Sequence, residues 1–287
     1  MSSIARMPLA RAAKYFVVRT LISAAFGLPA LLSAAAGQSP PSHATIELIA
    51  DLTPPAGNAR LHAGLLFHLD PGWHIYWQNA GDSGEPPKIT WNLPAGFIAG
   101  PIEWPAPKRL GSGSIIDYGY EDQVLLMAPI RAPMSFDYEG RPNVQFVADV
   151  KYVVCREICI PGKAHLALAL PLTNDAQARE WHEEFEQARK EIPKLAPASW
   201  KISARAARNN LVLSIAGAPQ TKSATFFPQA ASIIENSAPQ VLATDRAGIH
   251  LTLKVSDQAA GPPTRLKGVV VLDGSLAYQI AAPVVSK

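Results

Sequence analysis

The 287-residue sequence has few charged residues, at 17%, and only two cysteines, Cys155 and Cys159. Two thiolates supply only half of a tetrahedral zinc shell, so cysteine alone cannot build a closed structural zinc site here. The sequence also lacks a G-x-S-x-G motif, a phosphate-binding glycine loop and an H-E-x-x-H motif. Hydrolase and nucleotide-enzyme functions therefore have no supporting motif, and the two cysteines become the main candidates for chemistry.

Long apolar runs are absent after residue 37, where no stretch approaches the roughly 20 apolar residues that span a bilayer. In residues 1–37, four basic residues precede an apolar stretch at 21–32, and the small-residue run SAAAG follows. This pattern is typical of a secretory signal peptide that is cleaved near Ala36. An uncleaved membrane anchor is the alternative, but Pro29 and the short apolar core count against it.

The sequence also lacks the excess of basic residues that a nucleic-acid-binding surface needs. Residues 1–37 carry four basic and no acidic residues, so without them the formal net charge changes from +3 to −1. No basic stripe with interleaved aromatic residues is found elsewhere in the chain. We therefore predict no nucleic-acid partner. Export instead predicts a periplasmic location, where disulfides form and persist.

Proline, by contrast, is abundant. The 26 prolines make up about 9% of the chain, against roughly 5% in average proteins, which favours short strands joined by turns. Residues 44–172 contain about eight strand-like segments between turn signals, which predicts an antiparallel, Ig-like β-sandwich. Residues 200–287 predict a second, smaller β-sandwich. This second domain contains no cysteine, so we expect it to act as a scaffold or a docking surface.

The hydrophobic period changes between the two β-regions. Apolar residues recur there at three- and four-residue steps, which predicts an amphipathic helix over 173–193, followed by a linker at 194–199. These apolar positions are Ala178, Trp181, Phe185, Ala188 and Ile192. The predicted capping residues are Thr173, Asn174 and Asp175, and Pro193 ends the segment.

Three evenly spaced histidines, His62, His68 and His74, invite a metal-site hypothesis. Six residues of strand separate the first two by roughly 20 Å, however, which is too far for one zinc ion. His62 and His68 alternate with apolar residues, so we predict that both lie on a solvent-exposed face. His74 differs because it follows a turn and lies among large aromatic residues. We expect no metal ligand set and no cofactor.

The two cysteines flank a three-residue connection if 143–155 and 159–170 pair as a hairpin. Facing Cα atoms then lie about 4.5–5.5 Å apart, within reach of a disulfide. Such a small loop gives a disulfide little stabilising effect, roughly 2 kcal/mol against about 4.7 kcal/mol for a 100-residue loop. A redox pair, a structural disulfide and a two-coordinate Cu(I) site all remain open at this point.

Four ordered blocks carry a resemblance to a known family: PGWHIYWQNAGDSGEPPKITWNLPAGF, GPIEWPAPKRL, DYGYEDQVLL and VVCREICIPG. Over residues 44–172 they resemble the amino-terminal periplasmic domain of the DsbD family, most closely its ScsB-like branch, which is linked to copper tolerance. The resemblance implies an Ig-like domain in which Cys155 and Cys159 are the redox pair. It also implies that a membrane-embedded donor reduces this pair, which then reduces thioredoxin-like periplasmic acceptors.

The resemblance further implies the surroundings of the pair. The loop from Asp117 to Tyr120 would shield the sulfurs, with Tyr118 or Tyr120 covering them, and Trp73, His74 and Tyr76 would lie beside the site. Long family members continue into a membrane domain and a thioredoxin-like domain, which this sequence lacks, so we expect a separately encoded membrane donor. The chain would then act as a component of a protein-disulfide reductase. A non-catalytic protein- or copper-binding module with a structural disulfide is the alternative.

Overall fold

The computed structural model describes residues 42–51, 61–111, 113–133, 143–171, 180–261 and 263–285. Within these ranges the chain consists mostly of β-strands, with one short helix, and the predicted mostly-β architecture of Ig-like sandwiches is confirmed. The described ranges contain no helix with the length and apolar composition needed to cross a membrane. The predicted signal peptide (1–37) and the helix-capping residues 173–175 lie outside the described residues.

The first β-domain contains ten strands within the described residues. They are β1 (Ala44–Asp51), β2 (Leu61–Leu69), β3 (His74–Gly81), β4 (Lys88–Asn92), β5 (Ile98–Ala99), β6 (Lys108–Leu110), β7 (Asp117–Glu121), β8 (Gln123–Arg131), β9 (Asn143–Cys155) and β10 (Cys159–Pro171). One sheet has the order β1-β2-β8-β5, and the other has the order β10-β9-β3-β7-β6, with β4 also pairing to β9.

The core of this domain lies between the two sheets. Strand β9 alternates buried and exposed positions over most of its length, as expected when successive side chains point to opposite faces. Phe67, Trp77 and Phe146 are fully buried in the shared core. The turn between β2 and β3 is the predicted one: Trp73 N–H donates to the carbonyl oxygen of Asp70 at 2.9 Å. β3 thereby starts directly after this turn.

The helix α1 (His182–Glu191) is shorter than the predicted segment. Residues 180 and 181 form a turn, and Trp181 occupies the N-cap position without a side-chain capping bond. Phe185 and Ala188 are buried, as their spacing predicted. Ile192 is extended, in agreement with the restriction that the following Pro193 imposes on it.

Helix α1 covers the outer face of the four-stranded sheet and corrects one expectation. Phe185 and Ala188 pack there against a second apolar cluster that includes Leu66 of β2. His62 is consequently only 7% exposed, not on a solvent face, because the helix lies over it. His68, further along β2, keeps 43% of its side chain exposed as predicted.

The second β-domain is one continuous hydrogen-bonded sheet within the described residues. Its strands are β11 (Lys194–Leu195), β12 (Lys201–Ala207), β13 (Asn210–Ala216), β14 (Ala224–Pro228), β15 (Val241–Thr244), β16 (Gly248–Lys254), β17 (Arg265–Leu272) and β18 (Leu276–Val285). Their order is β14-β17-β18-β12-β13-β16-β15, and β11 pairs with β18. Part of the predicted linker is therefore a short strand. Residues from both ends of this sheet share one buried core.

The two β-domains pack against each other through aromatic residues. Phe227 of β14 lies in the core of the first domain, with ring centroids 5.1 Å from Tyr118 and 6.3 Å from Trp77. Asn79 of β3 donates from Nδ2 to the carbonyl oxygen of Pro228 at 2.8 Å. Residues 40–287 accordingly form one compact unit.

Candidate functional site

The two cysteines lie at the turn of the β9–β10 hairpin and form a disulfide. Cys155 and Cys159 are directly paired across the hairpin, with their Cα atoms 4.2 Å apart. The register continues without interruption to Asn143 and Pro171, so thirteen residue pairs position the bond. The hairpin predicted from the sequence is therefore confirmed. The three-residue turn closes with a hydrogen bond from Arg156 N–H to the carbonyl oxygen of Ile158 at 3.2 Å.

The two cysteines differ in their exposure to solvent. Cys155 is 2% exposed, although it lies on the face of β9 opposite to the core residues Tyr152 and Val154. Cys159 and all three turn residues are exposed, and Ile158 exposes 65% of its surface. A thiolate must approach the sulfur that it attacks. This arrangement leaves Cys159 as the cysteine that a second protein can reach.

A tyrosine hydroxyl lies at the sulfur of Cys159. The Oη atom of Tyr76 is 3.5 Å from Cys159 Sγ and 3.1 Å from Ser83 Oγ. Ser83 in turn binds Asp117 twice, because its backbone N–H and its hydroxyl each donate to a carboxylate oxygen at 2.9 Å. Two polar side chains, Ser83 and Tyr76, thus connect Asp117 of β7 to the exposed sulfur.

The tyrosine is held in its protonated form. Burial raises the pKa of Tyr76 to about 12, and the carboxylate of Asp117 also raises it, while the hydrogen bond with Ser83 opposes the shift. Because Ser83 Oγ donates its one hydrogen to Asp117, the Ser83 oxygen can only accept a hydrogen bond from Tyr76. Tyr76 can therefore donate its proton to Ser83 or to the sulfur, and it remains a donor at neutral pH.

His74 lies opposite Cys155, in the register that joins β3 to β9. Its Nε2 atom is 3.3 Å from Asp117 Oδ2, although the pair lacks hydrogen-bonding geometry. The imidazole also contacts the ring of Tyr76 edge to face, with centroids 5.2 Å apart. His74 and Asp117 are both buried, at 7% and 6% exposure. His74 thus lies next to Cys155 in the sheet, and Asp117 lies against His74.

Trp73 borders the exposed turn on its other side. The ring of His43 stacks on it with centroids 3.8 Å apart, and the guanidinium of Arg156 lies 5.3 Å from its centroid. His43 Nδ1 is held 2.8 Å from the carboxylate of Asp70. The predicted neighbours Trp73, His74 and Tyr76 thus all lie within a network of contacts that reaches the hairpin end.

The segment Asp117–Tyr120 was expected to be a loop, and this expectation is corrected. It forms strand β7, paired to β3 and β6, because Gly119 lets the backbones approach closely; a Cβ there would lie 2.0 Å from the carbonyl oxygen of Ile75. Tyr118 donates its hydroxyl to Asn236 Oδ1 and Tyr120 to the carbonyl of Pro105.

Burial raises the pKa of both Tyr118 and Tyr120, so they too stay protonated. Of the four residues in this segment, Asp117 is connected to the sulfurs, through Ser83 and Tyr76. The shielding role expected of the segment stays a prediction. The hydroxyl at Cys159 belongs to Tyr76, not to Tyr118 or Tyr120.

Sequence reasoning missed the loop 82–84. The segment AGDSGEPP indicated only a turn, and nothing in it indicated a contact with Tyr76. Gly84 has a left-handed φ of +64°, and a Cβ at this position would lie 2.1 Å from the Tyr76 ring. Gly84 therefore allows the loop to lie directly on the tyrosine that contacts Cys159. Among the residues that the structure describes, no group of three or more His, Cys, Asp or Glu side chains could hold a metal ion.

Comparison with known proteins bears on residues 50–171, which match the family described as thiol:disulfide interchange protein DsbD, N-terminal. The fold is similar to the N-terminal periplasmic domain of ScsB from Proteus mirabilis, with 20% identity and a TM-score of 0.62 over 85% of this chain and 94% of that one. The periplasmic chaperone SfaE aligns over 85% of this chain and 100% of its own, at 11% identity and a TM-score of 0.20. No curated protein matches the chain.

Proposed function

Because residues 50–171 belong to the amino-terminal domain family of the thiol:disulfide interchange protein DsbD, we propose that Cys155 and Cys159 are a working redox pair. One observation carries this proposal: the exposed Cys159 has a buried, protonated tyrosine hydroxyl held at its sulfur. A disulfide that serves only as a cross-link needs neither an accessible sulfur nor a donor beside it. Its tiny loop would also stabilise the fold little.

The reduced pair passes two electrons to a partner in two steps. The Cys159 thiolate attacks one sulfur of the partner disulfide, forms a mixed disulfide and expels the other partner sulfur as a thiolate. The Cys155 thiolate then attacks Cys159 Sγ, which releases the reduced partner and leaves the Cys155–Cys159 disulfide. The buried position of Cys155 suits this second role, because its only target lies across the hairpin.

The Tyr76 hydroxyl acts on the thiolate of Cys159. A hydrogen bond to a charged group favours the charged form, so donation from Tyr76 lowers the pKa of the attacking thiol. It also stabilises Cys159 as a leaving group when the mixed disulfide with a donor is resolved. Tyr76 has a single hydroxyl proton, which Ser83 can accept at 3.1 Å because its own proton is donated to Asp117 at 2.9 Å. A thiolate is a stronger acceptor than a neutral hydroxyl, so this proton turns to Cys159 when the thiol ionises.

The family match over residues 50–171 supports the proposed partners and location. We place the module in the periplasm, where a membrane-embedded dithiol donor reduces the pair by attack on Cys159, and thioredoxin-like proteins accept the electrons. The exposed Ile158 beside Cys159 and the exposed Arg156, whose guanidinium lies over the buried Trp73 ring, provide an apolar and cationic surface around the sulfur. Such a surface suits transient contact with a partner active site.

Single-cysteine variants test the assignment of roles. In Cys155→Ser, the remaining Cys159 should form a stable mixed disulfide with glutathione disulfide, because no second thiol can resolve it. In Cys159→Ser, the buried Cys155 should react many times more slowly. Equal rates in the two variants would contradict Cys159 as the attacking residue.

The reduction potential of the wild-type pair tests the function itself. Equilibration against a glutathione buffer should give a value above about −300 mV, because structural disulfides usually lie below it. A value well below this limit would assign the bond to a structural role in a binding module and end the exchange proposal.

A further inference from the structure

The second β-domain reaches the redox site through Asn236. This side chain is 8% exposed, and it makes two hydrogen bonds to different parts of the first domain. Its Nδ2 donates to Asp82 Oδ1 at 2.8 Å, and its Oδ1 accepts from the hydroxyl of Tyr118 at 2.7 Å. Arg109 in β6 also donates to the backbone carbonyl of Asn236.

The residue that Asn236 holds is the start of the loop that lies on Tyr76. Asp82 Oδ2 accepts from Ile116 N–H at 2.8 Å, so Asp82 joins the loop to the residue before β7. Ser83 follows directly and binds both Asp117 and Tyr76, and Tyr76 contacts Cys159. Polar contacts, linked by the peptide bond between Asp82 and Ser83, therefore connect the second domain to the exposed sulfur.

From this series we infer that Asn236 is a positioning residue for the exchange reaction, and that the second β-domain tunes the reactivity of Cys159. By fixing Asp82, Asn236 holds the loop that places Ser83 Oγ 3.1 Å from the Tyr76 hydroxyl, the group that turns to the sulfur when Cys159 ionises. The inference rests on the proposed function of the cysteine pair. It gives the second domain a role beyond that of a scaffold, because that domain supplies one of the loop's anchors, beside those from Ile116 and Asp117.

Other contacts hold the two domains together independently of Asn236. Phe227 lies in the core of the first domain, and Asn79 donates to the carbonyl of Pro228. Loss of the Asn236 side chain should therefore leave the domains packed while it frees Oδ1 of Asp82; Oδ2 keeps its bond from Ile116 N–H. This separation makes a local effect on the site distinguishable from a loss of structure.

Several titratable groups surround the cysteine pair, and each could affect a pH profile. They are Tyr76, His74 and Asp117 from the strands beneath it, Asp82 in the loop, and Arg156 and Glu157 in the exposed turn. The variants below leave all of these in place except where Tyr76 is itself replaced. A change in the profile then reports on how the loop positions Tyr76.

The test measures the pH at which alkylation of Cys159 by iodoacetamide is half-maximal, in a Cys155→Ser background. Asn236→Ala should raise this midpoint by about half a unit, which corresponds to a roughly threefold loss of thiolate near neutral pH. Asn236→Asp keeps an acceptor for Tyr118 but replaces the donor to Asp82 with a second carboxylate, so it should raise the midpoint as well. Gln240→Ala is the control, because the hydrogen bonds of Gln240 among the described residues join it to the backbone of Phe226, within the second domain.

Coupling to Tyr76 provides the second readout. If Asn236 acts through the tyrosine, Asn236→Ala should add almost no shift in a Tyr76→Phe background, since residues of one network are not additive. An unchanged midpoint in both Asn236 variants, with Tyr76→Phe still shifted, would overturn the inference and leave the proposed function standing. Failure of Cys159 to exchange with glutathione disulfide in the wild-type chain would instead overturn the proposed function.

Discussion

Replacement of Tyr76 by phenylalanine removes one oxygen atom from the redox site and little else. The ring is fully buried and contacts His74 and the loop at Gly84, so the phenylalanine ring should occupy the same place. The lost atom is the one that lies 3.5 Å from Cys159 Sγ. We expect the reduced protein to lose part of the stabilisation of its Cys159 thiolate.

The size of the effect follows from the hydrogen bond. Bonds to charged groups contribute about 1.5–3 kcal/mol, and one pKa unit corresponds to about 1.36 kcal/mol. Because the contact with sulfur is long, the lower end applies, and the pKa of the Cys159 thiol should rise by about one unit. A more basic thiolate is also a better nucleophile, with a Brønsted coefficient of about 0.4–0.5. Below the thiol pKa, the exchange rate should therefore fall by about three- to fourfold rather than tenfold.

The assay is alkylation of Cys159 in a Cys155→Ser background from neutral to alkaline pH, followed by mass spectrometry. Tyr152→Phe is the matched control, because Tyr152 packs its ring on Gly162 in the same hairpin but makes no hydrogen bond to either sulfur within the described contacts. The reasoning is refuted if Tyr76→Phe leaves the pH midpoint unchanged, or if Tyr152→Phe moves it equally.

Three further predictions concern stability. Arg189→Met removes a partner of Asp51, whose side chain is fully buried 2.9 Å from the guanidinium, and should lower the free energy of unfolding by about 3 kcal/mol in urea titrations. Gly84→Ala places a methyl group 2.1 Å from the Tyr76 ring at a φ of +64°, and should both destabilise the fold and slow exchange at Cys159. The pKa of Tyr76 is about 12 in the folded protein, against an ordinary value of 10.0. Because the folded-state pKa is raised, the contribution of protonated Tyr76 to stability is complete below pH 10 and is lost as the pH rises to about 12. The urea midpoint of unfolding should therefore decline over this pH interval.

Each of these predictions has a matched comparison. Lys190→Met, at the exposed neighbour of Arg189, should change stability by less than about 0.5 kcal/mol. Gly113→Ala shares the left-handed φ of Gly84, at +72°, but meets no atom within 4 Å, so it should leave exchange unaffected. In the pH series, Tyr76→Phe should show a shallower alkaline decline than the wild type. A prediction is contradicted if Lys190→Met destabilises as much as Arg189→Met, if Gly113→Ala slows exchange as much as Gly84→Ala, or if Tyr76→Phe declines as steeply as the wild type.

Local sequence patterns predicted the elements that carry the cysteines. The alternation in β9 and β10 and the turn at Asp70 depend on neighbouring residues, so the hairpin and the pairing of Cys155 with Cys159 could be anticipated. The apolar spacing of Phe185 and Ala188 likewise predicted the buried face of α1. Helix length was less predictable, because tertiary packing and the turn at 180–181 decide where the helix begins.

Errors arose where distant segments meet. His62 alternates with apolar residues and so looked solvent-exposed, but α1 packs over that face of the sheet. Asp117 to Tyr120 looked like a loop because it contains glycine and follows a turn-rich stretch. It is a strand because its neighbours β3 and β6 supply the hydrogen-bonding partners. These partners are distant in sequence, and a two-residue hydrophobic period cannot be recognised in so short a segment.

By itself, the sequence determined that this is a mostly-β chain with one cysteine hairpin, because strand periodicity, turns and a four-residue spacing are local properties. Only the tertiary structure decided which side chains surround the cysteine pair. Ser83 binds Asp117 across 34 residues of sequence, and Tyr76 contacts Cys159 across 83. Asn236 binds Asp82 across 154 residues. Contacts at such separations depend on how the sheets and domains pack, not on the residues nearby. The exposure of Cys159 and the burial of Cys155 are likewise properties of the folded hairpin, since both are the same residue type four positions apart.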